Sequence, residues 1–325
     1  MSGKILEISC KSGHLETLMS LAEQNSARIL STYEPKTDNE LASIRLFVEI
    51  EAVQATLDKI QSFLPDSAEP IILLCPVDAQ IGEHDDLVKG ETEYFVATRE
   101  ELFLNISEGS KFDRTFVLLA LLSTIVAAIG IVENNMAVVI GAMVIAPLLG
   151  PNLGLALGAV LGDKELIKTA VITNGLGLLI TIVTSALIAL VWSPNLDSVE
   201  LLSRTQVQYS SIILALASGV AAVVSLTSRL PNTLVGVMVA VALVPPATVF
   251  GMMLGTQNWA LANSAGLLLL INIAAVNFSA QLVFIVRGIR PRTWLAKRAA
   301  KQSLAINILV WSVFLVVLII VVSLQ

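Results

Sequence analysis

Charge is what this sequence has least of. Only 14% of its 325 residues are Asp, Glu, Lys or Arg, where a soluble chain carries about 25%. Two histidines, two cysteines and 5% aromatic residues stand against 55% hydrophobic residues and a mean hydropathy of +0.80. This composition excludes a disordered chain, a nucleic-acid binder and an ordinary soluble enzyme. The scarcity is also uneven. From residue 115 onward there is no His and no Cys, hence no metal triad and no imidazole to activate a serine. No Asp, Glu, Lys or Arg falls in the middle of any long apolar stretch there; Glu133 and Arg229 sit at ends. A proton relay or a carboxylate-ligated pump needs such a group inside the membrane. The chain therefore reads as a non-enzyme without a metal site, and no cofactor is assigned.

The charge that is present is segregated. Residues 1–114 hold 21 of the 26 acidic and 10 of the 20 basic residues, a net of −11. Residues 115–325 hold 5 acidic and 10 basic, a net of +5. Cys10, His14, Cys75 and His84 all lie in the first part. An acidic soluble portion thus precedes a membrane portion nearly empty of ionisable groups.

Residues 1–82 alternate between the two periods of regular structure. Lys4–Ser9, Ala27–Tyr33, Leu41–Ile50 and Pro70–Val77 read as strands. Leu15, Leu18, Met19 and Leu21 fall at helical spacing, as do Val53, Leu57, Ile60 and Phe63. The order βαββαβ predicts a ferredoxin-like α/β domain. Met1–Cys10 has no basic segment followed by an apolar core, so a cytosolic location and reduced cysteines are expected. Residues 83–114 follow as an acidic linker and a surface helix. Gly82–Glu93 carries the acidic residues, and Thr98–Arg99–Glu100–Glu101 matches a capping box that opens an amphipathic elbow ending near Arg114.

Residues 115–325 contain seven stretches long enough to cross a hydrocarbon core, which needs about 20 apolar residues. They run 115–132, 136–162, 165–192, 207–229, 232–255, 262–286 and 303–324. Lys164, Lys168, Arg229, Arg287, Arg290, Arg292, Lys297, Arg298 and Lys301 all fall on one side if the N-terminus is cytosolic. The opposite loops hold only Arg204. The basic-inside bias then predicts a multi-pass inner-membrane protein with its C-terminus outside.

Spans 2 and 5 carry prolines at their centres, Pro147 with Pro151 and Pro245 with Pro246, which predicts broken helices. They occupy matching places in a repeat of 115–192 by 207–287. Leu119–Ser123 parallels Leu214–Ser218, Asn135 parallels Asn232, Pro147 parallels Pro245, and Asn174 parallels Asn277. Three spans per copy is an odd number, so the copies have opposite topology, and 303–324 is an extra helix. Broken spans at corresponding positions of inverted repeats point to a transport site near the midplane. Free amides at the half-helix ends favour anions there and free carbonyls favour cations.

The expected binding residues are Pro147, Gly150, Pro151, Asn152, Gly154, Asn174, Pro245, Pro246, Thr248, Asn272 and Asn277. Asn152 is expected to cap the second half of span 2, and Thr248 takes the comparable place in span 5. Gly150 and Gly154 would let backbone approach a ligand. For any single Asn the plainer reading is interhelical hydrogen bonding, worth about 0.6 kcal/mol.

The run Gly141–Ala142–Met143–Val144–Ile145–Ala146–Pro147–Leu148–Leu149–Gly150–Pro151, with Pro245–Pro246, resembles the prokaryotic hydrophobic membrane proteins that share domain of unknown function 389. The resemblance covers roughly 115–290 and implies a multi-span membrane protein without implying an activity. The function expected from the residues is a carrier of a small anion or neutral solute, with lipid as a partner and a homo-oligomer as the assembly. The alternatives are a gated channel and a membrane-anchored sensor or scaffold acting through residues 1–82.

Overall fold

The computed structural model describes residues 3–25, 27–35, 41–64, 70–77, 98–192, 194–228 and 232–291, with a few positions between 309 and 316. For 12, 232–238 and 241 it describes the backbone alone. The acidic linker, Arg229, the basic residues from Arg292 to Lys301 and nearly all of the seventh apolar stretch lie outside the described residues. Packing divides the chain into two units, Met1–Arg99 and Glu100–Gln325.

In the first unit, β1 (Gly3–Cys10), α1 (Leu15–Gln24), β2 (Arg28–Tyr33), β3 (Ala42–Glu49), α2 (Ile50–Phe63) and β4 (Ile71–Pro76) follow the βαββαβ order. The four strands form one antiparallel sheet in the order β2-β3-β1-β4. Alternation decides its faces. Leu6, Ile8 and Cys10 of β1 and Ile44, Leu46 and Val48 of β3 are buried. They share one core with Leu15, Leu18 and Ala22 of α1 and Val53, Leu57 and Ile60 of α2. On the other face Glu7 meets Arg45 at 3.1 Å, a solvent-exposed pair of small energetic weight.

The second unit opens with α3 (Arg99–Gly109), which buries Leu102 and Ile106, one turn apart. Then come α4 (Arg114–Val132), α5 (Met136–Ile145), α6 (Leu149–Leu161) and α7 (Lys164–Val191). After a four-residue α8 (Val199–Leu202), the chain continues through α9 (Tyr209–Thr227), α10 (Asn232–Gly255) and α11 (Trp259–Val286). Helices α4, α7, α9 and α11 are each long and apolar enough to cross a membrane. The pair α5–α6, bent by 55°, makes a fifth if it counts as one span. Their outward positions carry large apolar side chains, among them Leu118 and Leu122 of α4 and Leu179, Val183 and Leu187 of α7. Such faces suit lipid, which takes the place of water around the unit.

Three of the joints between helices follow one rule. Asn134, Gly162 and Gln257 adopt positive φ, of 54°, 72° and 58°. In each case the next residue caps a new helix: Asn135 accepts from Ala137 and Val138, Asp163 from Leu166, and Asn258 from Leu261. The same three residues donate their amides back to Gly130, Gly158 and Met253. The left-handed residue closes one helix and the Asx side chain opens the next.

Four to five candidate spans are present among the described residues; the expected seven cannot be counted there, because 303–324 lies outside them and α10 is described with side chains only in part. One expectation needs correction: span 5 is not broken. Helix α10 runs through Pro245 and Pro246 without interruption. Span 2 does break, between Ile145 and Leu149 around Pro147.

Candidate functional site

The two proline sites differ in outcome, a break at Pro147 and a continuous helix at Pro245 and Pro246. Pro246 has no N–H to give the Ala242 carbonyl. Asn272 of α11 supplies one, its Nδ2 donating to the Ala242 oxygen at 2.7 Å. Thr248 spends its hydroxyl on the Val244 carbonyl at 2.9 Å, within the same stretch of α10. The helix continues across both prolines. At Pro147 the chain turns instead. Ser123 of α4 donates to the Ala142 carbonyl at 2.8 Å, close to the end of α5.

Immediately after that break, three asparagines from three helices meet. Asn152 of α6, Asn174 of α7 and Asn277 of α11 are buried, with Asn152 and Asn277 at 0% exposure. The Asn152 Oδ1 accepts from Asn174 Nδ2 at 3.1 Å and from Asn277 Nδ2 at 3.3 Å. The amide orientations follow from fixed acceptors. Asn152 Nδ2 donates to the Leu148 carbonyl at 2.8 Å, Asn277 Nδ2 also to the Ile273 carbonyl at 2.9 Å, and a carbonyl can only accept. With Asn152 set by Leu148, Asn174 must present its nitrogen to the Asn152 oxygen. The side-chain oxygens of Asn174, Asn272 and Asn277 are consequently left, buried and without a hydrogen-bond partner among the described residues. Gln281, one turn beyond Asn277 and fully buried, has neither amide atom paired.

The other expected site residues fall into place around this cluster. Asn152 does not cap α6: Leu148 holds the N-cap position, and Asn152 lies within the helix. Gly150 and Gly154 serve close packing. A Cβ on Gly150 would lie 2.0 Å from the Gly109 oxygen, and one on Gly154 would lie 2.4 Å from Ser110 Oγ. Ser110 also donates to the Gly150 carbonyl at 2.9 Å. These glycines admit the end of α3 against α6. Pro151 is buried in the first turn of α6, where its missing amide costs little. Pro245, Pro246, Thr248 and Asn272 form a second locus on α10 and α11. Asn272 and Asn277 are five residues apart, so they face different sides of α11.

Sequence reasoning missed Gln281, although its spacing of four from Asn277 places both on one helix face. It also missed the buried hydroxyl line joining α4 to α7, where Thr124 donates to Thr181 at 3.2 Å and Ser185 follows one turn on. A stripe of Asn174, Thr181 and Ser185 at spacings of seven and four is the signal that reveals it. In the turn Glu133–Asn134–Asn135, Asn134 Oδ1 accepts from the Glu200 amide at 3.0 Å. Among the described residues no group of three or more His, Cys, Asp or Glu could hold a metal ion.

The comparisons agree with the sequence motif. The family model described as "Domain of unknown function (DUF389)" matches residues 143–278, from the end of α5 to the asparagine cluster on α11. The uncharacterized protein MJ0678 of Methanocaldococcus jannaschii is 32% identical over 276 residues, covering 85% of this chain and 86% of that protein. The chain belongs to the DUF389 family. No solved structure matches it.

Proposed function

We infer that this protein is a membrane carrier for a small solute, neutral or singly anionic, bound beside the broken span α5–α6. The observation that carries the reading is the asparagine cluster itself. Three buried amides from α6, α7 and α11 converge directly after a helix break. Irregular backbone and unpaired polar groups at such depth are tolerated where they line a cavity or are held by protein.

Element lengths support the inverted repeat. Helices α4 and α9 both have 19 residues, and α7 and α11 both have 28. Each later helix begins 95 residues after its counterpart, at 209 against 114 and at 259 against 164. The packing is reciprocal too. Helix α4 lies on α5 and α7 as α9 lies on α10 and α11, while α6 meets α11 and α10 meets α7. In this reading six spans form two opposed halves, 303–324 is a seventh, and the ferredoxin-like module stays cytosolic with the C-terminus outside. The assembly is taken as a homo-oligomer by analogy with symmetric complexes, and a mass measurement in detergent checks it.

The test is solute flux into liposomes holding the purified full-length protein, screened across small neutral and anionic compounds. Saturable, counterflow-competent uptake is expected, and Pro147→Ala should stop it while leaving the protein folded. Steady single-channel currents would instead establish a pore. Ligand binding by residues 1–82, with no flux for any solute, would favour the sensor.

A further inference from the structure

The balance of donors and acceptors around Asn152 is lopsided, and the imbalance names a ligand class. Asn277 spends its nitrogen on two acceptors, Asn152 Oδ1 and the Ile273 carbonyl. Asn174 and Asn152 each direct theirs at an oxygen. What remains unpaired is mainly oxygen: Asn174 Oδ1, Asn277 Oδ1 and, one turn further along α11, the amide of Gln281. Gln281 is fully buried and makes no hydrogen bond, so nothing fixes its orientation and it is free to present its oxygen. Asn174 and Asn277 share a single acceptor atom, which sets both side-chain amides against the same point of α6.

Neutral amide oxygens are hard ligands of the kind that replace the hydration shell of an alkali cation. An anion would need donors, and four of the six side-chain amide hydrogens on the three asparagines are already committed. A divalent cation stripped of water would need carboxylates, and no Asp or Glu lies in α5, α6, α9, α10 or α11. We propose that Asn174, Asn277 and Gln281 bind a dehydrated sodium ion, with Asn152 holding the two asparagines in place as a positioning residue. This deepens the carrier reading and rests on it for physiological meaning: the ion would be the coupling ion, and its charge would balance a singly anionic solute.

The experiment is equilibrium binding of radioactive sodium to the full-length protein in detergent. Thermal unfolding is followed alongside in sodium, potassium, ammonium and N-methylglucamine chlorides at equal ionic strength. Saturable binding of one sodium per chain is expected, with a melting temperature that rises with sodium and not with N-methylglucamine. Gln281→Leu is the decisive variant because it removes no hydrogen bond. It should weaken sodium binding by about tenfold or more, as loss of a group at an ion site does. If Gln281 is merely an unsatisfied core residue, the same variant melts higher in every salt and binds sodium as the parent does, which overturns the proposal.

Absence of saturable sodium binding, or a site that prefers ammonium, overturns the proposal as well. Solute flux that is independent of sodium, in a protein that binds none, would leave the carrier standing without this ion. Sodium binding without any flux would sink the carrier and leave the ion site.

Discussion

Pro246 removes the amide that would have bonded the Ala242 carbonyl, and Asn272 returns one from the neighbouring helix. A buried carbonyl left unpaired costs about 1–3 kcal/mol. Asn272→Leu should therefore lower stability by about that amount. Pro246→Ala, which gives the helix its own donor, should suppress most of the loss in the double variant. Thermal unfolding of the four proteins in detergent measures the coupling, and strictly additive effects would show that Asn272 does not serve the proline. The two cysteines provide a second residue-level contrast. Cys75 is exposed and Cys10 is buried, and burial pushes the Cys10 thiol above its ordinary value. An alkylating reagent at neutral pH should modify Cys75 in the native protein and reach Cys10 only on unfolding. The raised value also has a sign for stability. The Cys10 contribution is whole below the ordinary thiol range and is lost as pH rises through it, because only the unfolded thiol ionises there. Cys10→Ala should remove that alkaline slope.

Helix α10 meets α7 through two glycines four residues apart, Gly251 and Gly255, the small-residue spacing that lets membrane helices approach closely. A Cβ on Gly251 would stand 2.0 Å from Ser185 Oγ and 2.4 Å from the Ile182 carbonyl. One on Gly255 would stand 2.4 Å from the Ala186 carbonyl. Backbone cannot rotate away as a side chain can. Gly251→Val should destabilise by about 1–3 kcal/mol through overpacking. Gly141 of α5 offers the control, because a Cβ there meets nothing within 4 Å. Gly141→Ala should raise stability by about 0.5–1 kcal/mol through helix propensity. Equal effects at Gly251 and Gly141 in a melting experiment would contradict this packing of α10. The break between α5 and α6 was legible in the sequence because Pro147 and Pro151 cluster with Gly150. The continuity of α10 was not. Two adjacent prolines predict a break from local chemistry alone, and the compensating asparagine sits 26 residues after Pro246.

At the scale of the whole molecule, the two units have separate cores. Every buried residue of the first core lies between Leu6 and Leu64. A fragment comprising residues 1–82 should therefore be soluble, show mixed α/β circular dichroism and unfold cooperatively. A fragment that stays unfolded would mean that the module needs the membrane unit.

The sequence alone determined the division into a charged module and an apolar body, the strand and helix order of the module, and the family. Those follow from period and composition, which are local. It also marked the asparagines that meet in the fold, without their partners. Whether Asn152 caps a helix or joins three of them, and whether Gly150 faces a ligand or Gly109, depends on which helices become neighbours. Only tertiary structure decided that, since the partners of Asn152 lie 22 and 125 residues away. The scarcity of charge set the same limit on both levels. Among the described residues of α5, α6, α9, α10 and α11 there is no Asp or Glu, and the arrangement of neutral amides decides which polar groups are left unpaired.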